Sequence, residues 1–197
     1  MMTKLKVALL ALGVCALAFS NGCIFSPETG PVGPTLPPAE SKDLTQKEDP
    51  IFNLILAYNN ADIAQYEKLL HPQYTFYNQD KDVLTGMDKF RTREWDMSST
   101  RNMFLATRGQ CPEPTLNLDV LKLEMGDGSW MMADTVPGLP TPCVDCWTTM
   151  RRYTVSLMLT GGINGWNGDD VVQIIVVPVD EGGKRLYKIY RMDDIAR

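Results

Sequence analysis

The sequence has little positive charge and almost no histidine. It contains 19 Lys and Arg against 24 Asp and Glu, a formal net charge of −5 over 197 residues. Sequence-independent binding to nucleic acid needs a basic surface, so this class of function is disfavoured. His71 is the single histidine, so a catalytic triad or a histidine-rich metal site would have to use it. We expect instead that His71 ends a helix, where the helix dipole favours it.

The sequence also lacks an apolar segment long enough to cross a bilayer. The longest apolar run covers residues 7–19, follows Lys4 and Lys6, and is cut short by Ser20, Asn21 and Gly22. A transmembrane helix needs about 20 apolar residues, whereas a short apolar run after a positively charged start is typical of a secretory signal peptide. Residues 1–22 are therefore predicted to be an export signal.

The end of this signal resembles the bacterial lipobox, in which cleavage precedes a cysteine whose thiol receives diacylglycerol. Gly22 and Cys23 match it, although Ser20 stands where lipoboxes usually carry Leu. The resemblance implies a lipoprotein whose acylated Cys23, with palmitate-type chains, anchors it outside the cytoplasm to a bacterial membrane. Ile24 in place of Asp is compatible with the periplasmic face of the outer membrane. Ordinary cleavage that leaves a free thiol is the alternative.

Residues 23–44 predict a linker. Five prolines and two glycines fall in this stretch, and its few apolar residues show no periodicity. Such a segment is extended and semi-rigid, with about 3.1 Å per residue where it adopts the polyproline conformation. It would hold a folded domain, residues 45–197, away from the membrane surface.

The folded part begins with helical patterns and continues with strand patterns. Apolar residues at helical spacing predict a helix over 51–58, and Asp62 is placed to cap a second helix that ends at 71–72. A strand over 74–77 and a third helical region over 88–104 follow. Later strands are predicted at 116–125, 130–133, 153–160, 171–179 and 185–192. This order indicates an α+β domain with N-terminal helices packed on an antiparallel sheet.

The segments 57–63, 69–72, 74–77 and 186–194 resemble the nuclear transport factor 2-like domains, the cystatin-like cone that includes ketosteroid isomerase and the SnoaL-like polyketide cyclases. The resemblance is vague between about residues 105 and 150, where the chain carries an insertion. It implies that the sheet is curved around a cone-shaped pocket closed by the helices.

The same resemblance bears on the chemistry of the pocket. It places the oxyanion tyrosine of ketosteroid isomerase at Leu54 and its catalytic aspartate at Asn78, so neither functional group is present. Isomerase chemistry does not carry over, and no catalytic residue is assigned. Asp80, Asp82 or a pocket tyrosine remain as replacement bases. The resemblance directs the side chains of Leu54, Tyr58, Phe76 and Asn78 into the cone and places Trp95 at its mouth. A small apolar ligand would bind where these side chains converge. A solidly filled cone is the alternative.

The cysteines suggest one disulfide and no metal site. Cys143 and Cys146 lie in a proline-rich loop, while Cys111 falls near the far end of the adjacent predicted hairpin, about 35 Å away at 3.4 Å per residue. We therefore predict that Cys143 pairs with Cys146 and that Cys111 stays free. A zinc site would lack a fourth ligand, the Asn and Asp residues over 164–170 lack calcium-loop spacing, and no cofactor is expected.

Two functions remain open at this level. The first is a non-catalytic, membrane-anchored domain that binds a small apolar ligand in the cone or an envelope protein through its sheet. The second is an enzyme of the same fold that acts on a small hydrophobic substrate by acid–base chemistry. A buried carboxylate at the pocket floor would favour the enzyme. The partners expected are thus the membrane, a small ligand or an envelope protein, with a homodimer left open.

Overall fold

The computed structural model describes residues 40–78, 89–110, 117–160 and 165–195. The predictions for Cys23, Asp80, Asp82 and Cys111 fall outside these ranges and stay predictions. Within the described residues, three helices and seven strands form the fold. The helices are α1 (Asp49–Asn59), α2 (Ile63–Leu69) and α3 (Arg93–Thr107). The strands are β1 (Leu70–Tyr77), β2 (Phe90–Thr92), β3 (Leu118–Met125), β4 (Trp130–Met132), β5 (Trp147–Leu159), β6 (Gly165–Glu181) and β7 (Lys184–Ile195).

The first two helices begin where the sequence predicts. Pro50 lies in the first turn of α1, where a backbone N–H would have no intrahelical acceptor, so the missing N–H of proline is tolerated. The Asp62 side chain caps α2 by accepting a hydrogen bond from the Gln65 backbone N–H at 2.9 Å. The last helix, α3, begins at Arg93 rather than at residue 88, because the preceding residues form the short strand β2.

The sheet has the order β2-β1-β7-β6-β5-β3, and β4 pairs with β5 beyond the end of β3. The α+β class is thus confirmed, but the prediction of a purely antiparallel sheet is wrong. The strand β1 runs parallel to β7, while the other pairs are antiparallel. The helix α3 and the strands β2–β6 separate β1 from β7 in the chain, and a connection of that length allows parallel pairing.

His71 does not end a helix, as the sequence analysis expected. The helix α2 stops at Leu69, and Leu70 is already extended and pairs with Ile189 of β7. His71 is the second residue of β1 and packs edge-to-face on Tyr190, with ring centroids 5.1 Å apart. Pairing with β7 therefore overrides the local helical pattern two residues before Pro72.

The main core lies between the helices and one face of the sheet. It includes Leu54 and Ala57 of α1 and Ile174, Val176 and Ile189 of the sheet, all nearly inaccessible to solvent. Leu44 belongs to the same core, and its carbonyl accepts a hydrogen bond from the Tyr187 N–H at 2.7 Å. The chain therefore packs on the domain before residue 45, within the segment that the sequence assigns to the linker.

A second, smaller core lies on the opposite face of the sheet. Neighbouring residues on a strand point to opposite faces, so Ile175, Val177 and Tyr190 face away from the helices. Residues 133–146, which we call the strap, cover them with Val136, Cys143 and Cys146. A disulfide joins Cys143 to Cys146. None of the helices in the described ranges is long and apolar enough to cross a membrane.

Candidate functional site

The helices and the concave face of the sheet enclose a cavity of about 460 Å³. This volume falls in the range of about 300–1,000 Å³ that is typical of small-molecule sites. Much of its wall is apolar and comes from four different elements, with Leu54 on α1, Leu123 on β3, Val155 on β5 and Val172 on β6. The cone is thus not filled solid by its large side chains.

The structure brings four of the five predicted pocket residues to this cavity. Leu54, Tyr58, Phe76 and Asn78 all line it, from α1 and from the end of β1. Trp95 is not among the lining residues and is 48% exposed. Successive residues on a helix point about 100° apart, and α3 turns Asp96 toward the cavity instead. Trp95 is therefore not part of the cavity wall, and its closing of the mouth stays a prediction.

One buried carboxylate lines the cavity. Asp96 is 6% exposed, and the Tyr66 hydroxyl donates a hydrogen bond of 2.5 Å to its Oδ2. Within the part of the chain that the structure describes, no basic side chain lies within ion-pair distance of Asp96. Burial raises the pKa of Asp96, while the Tyr66 hydrogen bond and the charge of Arg91 oppose that rise.

Three tyrosines surround this carboxylate. The rings of Tyr58, Tyr66 and Phe104 pack edge-to-face, with centroids between 5.4 and 6.3 Å apart. The third tyrosine, Tyr74, is 2% exposed, and its hydroxyl has no hydrogen-bond partner among the residues that the structure describes. A buried hydroxyl without a partner carries a desolvation cost of about 1–3 kcal/mol. A ligand group in the cavity could recover that cost.

The tyrosines are suited to donate protons in hydrogen bonds rather than to act as bases. Burial, followed by the negative charge of Asp96, raises the pKa of Tyr58 to about 12. Burial likewise holds the pKa values of Tyr66 and Tyr74 well above their ordinary range. A tyrosinate is therefore scarce at neutral pH, and the expectation that a pocket tyrosine replaces the missing base is not favoured. Asp96 is the carboxylate in this enclosed region that could accept a proton.

Arg91 lies at the more open side of the cavity. Its guanidinium carbon is 5.1 Å from the Phe76 ring centroid and 4.8 Å from that of Trp95. Both distances are within the range of a cation–π interaction. Trp95 thus contributes indirectly, because its ring helps to position a guanidinium that lines the cavity.

Sequence reasoning missed Asp96, and it named Tyr66 and Tyr74 only among many aromatic residues that could line a pocket. A usable signal lay in the spacing of α3, since Asp96, Thr100 and Phe104 are four residues apart and share the buried face of the helix. A charged residue in such a series is a sign of a functional site, because isolated charges are costly to bury. The neighbouring residue, Trp95, was chosen as the pocket candidate because it is a large aromatic residue.

The strap cysteines and the polar turn residues lie away from this cavity. Cys143 and Cys146 belong to the small core on the other face of the sheet. Asp169 and Asp170, from the Asn- and Asp-rich segment, lie on β6 and line the open side, whereas Asn164 lies outside the described residues. The described ranges contain no group of three or more His, Cys, Asp and Glu side chains placed to hold a metal ion.

No family model and no curated protein matches the chain in sequence. Solved structures do match in fold. A nuclear transport factor 2-like superfamily protein from Salmonella enterica aligns at 10% identity and a TM-score of 0.47 over 75% of this chain and 85% of its own. A conserved protein from Planctomyces limnophilus aligns at 9% identity and 0.47 over 74% and 92%.

A nuclear transport factor 2-like protein of unknown function in nutrient uptake from Rhodospirillum rubrum aligns at 14% identity and a TM-score of 0.44, over 75% of this chain and 95% of its own. Two of these three proteins carry the name of the family that the sequence resembles. At such identities and TM-scores, the likenesses assign neither a family nor an activity to this chain.

Proposed function

We propose that this chain is a lipid-anchored, extracytoplasmic binding protein whose cone-shaped domain takes up a small, largely apolar molecule. The observation that carries the proposal is the cavity of about 460 Å³. Its apolar wall would supply affinity, and the few buried polar groups on one side would fix the orientation of the ligand. Non-catalytic binding needs no more than this, and it is compatible with Leu54 and Asn78 in place of the catalytic groups of ketosteroid isomerase.

Filling the cavity tests the binding proposal. The Val155 side chain lines the cavity, whereas Met158 on the same strand is 39% exposed and does not line it. We expect apolar probes, such as small aromatic alcohols and ketones, to raise the melting temperature of the wild type. A probe at 100 times its dissociation constant adds about 2.7 kcal/mol to the unfolding free energy.

Val155→Trp should abolish that shift and the matched control Met158→Trp should retain it. A wild type that responds to no probe would overturn the proposal, and so would a Val155→Trp variant that is folded and still binds. The melting temperatures of both variants without probe establish that each is folded.

The membrane anchor is a separate part of the proposal, supported by the lipobox-like Gly22-Cys23 and the proline-rich segment that follows. We expect the mature N-terminal peptide to begin at Cys23 and to carry acyl chains, which mass spectrometry of that peptide detects. Cys23→Ser should leave the membrane fraction. An unmodified thiol at Cys23 would contradict the anchor without affecting the binding proposal.

Acid–base catalysis is a second candidate function, favoured by one observation, the buried Asp96 beside the Tyr66 hydroxyl. In such a site the carboxylate could remove a proton next to a carbonyl group, while tyrosine hydroxyls stabilise the resulting oxyanion. Loss of deuterium from an α-deuterated cyclic ketone, followed by NMR, would report this reaction. Asp96→Asn should slow it by about 100-fold or more. An exchange rate equal to that in buffer would exclude this activity for the ketone tested.

A further inference from the structure

The charged residues around the cavity are mostly acidic. The described lining residues include one guanidinium, Arg91, and the carboxylates of Asp96, Asp169, Asp170 and Asp194. Asp169 forms an ion pair with Arg152, and both side chains are largely exposed. Carboxylates therefore outnumber the guanidinium among the described lining residues. An excess of one sign around a low-dielectric cavity focuses the electrostatic potential and favours ligands of the opposite charge.

Among these carboxylates, Asp96 matters most for ligand binding because it is buried. It is nine-tenths buried, and the Tyr66 hydroxyl, its hydrogen-bond donor, carries no formal charge. A buried carboxylate is costly unless a countercharge lies close to it. Arg91 is near enough for its charge to act on Asp96 but is not within ion-pair distance, and its guanidinium is occupied by the rings of Phe76 and Trp95. The cavity is thus lined by a buried carboxyl group that has no countercharge within ion-pair distance among the described residues.

The other groups in the cavity are also suited to a cation. The rings of Tyr58, Tyr66, Tyr74, Phe76 and Tyr153 contribute to the lining. Aromatic faces attract ammonium groups within about 6 Å of the ring centroid. The partnerless Tyr74 hydroxyl is an independent indication that a polar ligand atom belongs at the enclosed side. Its oxygen can accept a hydrogen bond from an ammonium group, which only donates.

We infer that the ligand of this cavity is an organic amine, a protonated nitrogen on an apolar body, with its ammonium group beside Asp96 and Tyr74. This inference rests on the proposed binding function and names the chemical class of its ligand. A metal ion does not fit the same features, because the described residues offer no cluster of three metal-ligating side chains. An organic anion would lie beside the buried carboxylate of Asp96, which has no ion-pair partner among the described residues.

Three probes that share a phenyl ring test the inference with the full chain at neutral pH. They are 2-phenylethylamine, which is a cation, 2-phenylethanol, which is neutral, and phenylacetate, which is an anion. Isothermal titration should show the amine binding at least about tenfold more tightly than the alcohol, with phenylacetate weakest. Asp96→Asn should bring the amine and the alcohol to nearly equal affinity. The control Asp119→Asn changes an exposed carboxylate outside the cavity and should keep the preference.

The outcomes separate this inference from the function on which it rests. Alcohol binding as tight as amine binding would overturn the amine while leaving a small-molecule site. Binding of none of the three, together with no response to other apolar probes, would overturn the proposed function itself. Tyr74→Phe provides a second variant in case Asp96→Asn does not fold, and it should weaken amine binding several-fold. Equal weakening of all three probes by Asp96→Asn would show that Asp96 only shapes the cavity, which also contradicts the inference.

Discussion

The cavity and the strap lie on opposite faces of the same sheet, and their polar side chains differ in how fully they are paired. On the strap side, the Tyr190 hydroxyl donates to the Pro137 carbonyl at 2.8 Å. Asp145 accepts hydrogen bonds from Tyr187 and Trp147 and pairs with Arg185. On the cavity side, Asp96 has no countercharge within ion-pair distance among the described residues, and the Tyr74 hydroxyl has no hydrogen-bond partner among them either.

This difference distinguishes residues that stabilise the fold from residues that would be paired by a bound ligand. Satisfied polar groups in a closed loop lower the free energy of the folded state. Polar groups that are buried without partners raise it, and such costs are tolerated where function requires them. Substitutions in the strap should therefore reduce stability without affecting ligand binding. Substitutions at Asp96 and Tyr74 should affect binding and leave stability unchanged or improved.

The largest expected effect on stability comes from the strap disulfide. Replacing both Cys143 and Cys146 by Ala removes a crosslink that closes a loop of four residues. The chain-entropy relation then gives a loss of about 2 kcal/mol in the free energy of unfolding. Urea denaturation measures this loss, and a reducing agent should reproduce it in the wild type but have no further effect on the double variant. A double variant as stable as the oxidised wild type would contradict the role assigned to the strap.

A smaller effect distinguishes two buried tyrosines. Tyr190→Phe removes the hydrogen bond to Pro137 and should reduce the free energy of unfolding by about 1 kcal/mol. Tyr74→Phe removes a hydroxyl without a partner and should leave the unfolding free energy unchanged or raise it. The two changes delete the same atom from rings that are 6% and 2% exposed, so each is the control for the other. Equal losses in urea denaturation would remove the distinction between the two faces.

Short-range sequence patterns were sufficient to predict much of the fold. The proline in the first turn of α1 and the Asp62 cap of α2 are short-range features, and both are present in the structure. The order of helices before strands likewise yielded the α+β class. The parallel pairing of β1 with β7 was not predictable in this way, because it joins segments more than 100 residues apart. His71 was misassigned for the same reason, since the partner of its strand is distant in sequence.

The site was predictable only where a family resemblance supplied the geometry. Leu54, Tyr58, Phe76 and Asn78 line the cavity as that resemblance implied. Asp96 was not found, because a carboxylate next to a tryptophan on a helix resembles an ordinary solvated charge. Its burial depends on the rotation of α3 against β1 and β3, which is a tertiary property. The strap was recognised as an insertion with a local disulfide, but its position over Ile175 and Val177 follows from the register of β5 and β6.

The smallest expected effect is a pH dependence of opposite sign for one aspartate in each region. Burial raises the pKa of Asp96 in the folded state. The native protein therefore binds more protons than the unfolded chain between about pH 4 and that raised pKa, so the free energy of unfolding falls as pH rises through this window. The hydrogen bond from Tyr187 leads the effects that lower the pKa of Asp145. For Asp145 the unfolded chain binds more protons, and the free energy of unfolding rises with pH from the lowered pKa to about pH 4.

Asp96→Asn and Asp145→Asn remove these two titrations separately. Urea denaturation between about pH 3 and pH 7 should show that Asp96→Asn gains stability relative to the wild type as pH rises above 4. Asp145→Asn should lose stability relative to the wild type as pH rises toward 4, and that deficit should persist up to neutral pH. Asparagine tolerates the left-handed backbone of residue 145, where φ is 62°, so the second variant tests the carboxylate rather than the turn. Difference curves of the same sign would mean that Asp96 is as well compensated as Asp145, and the cavity would then have no uncompensated carboxylate to offer a ligand.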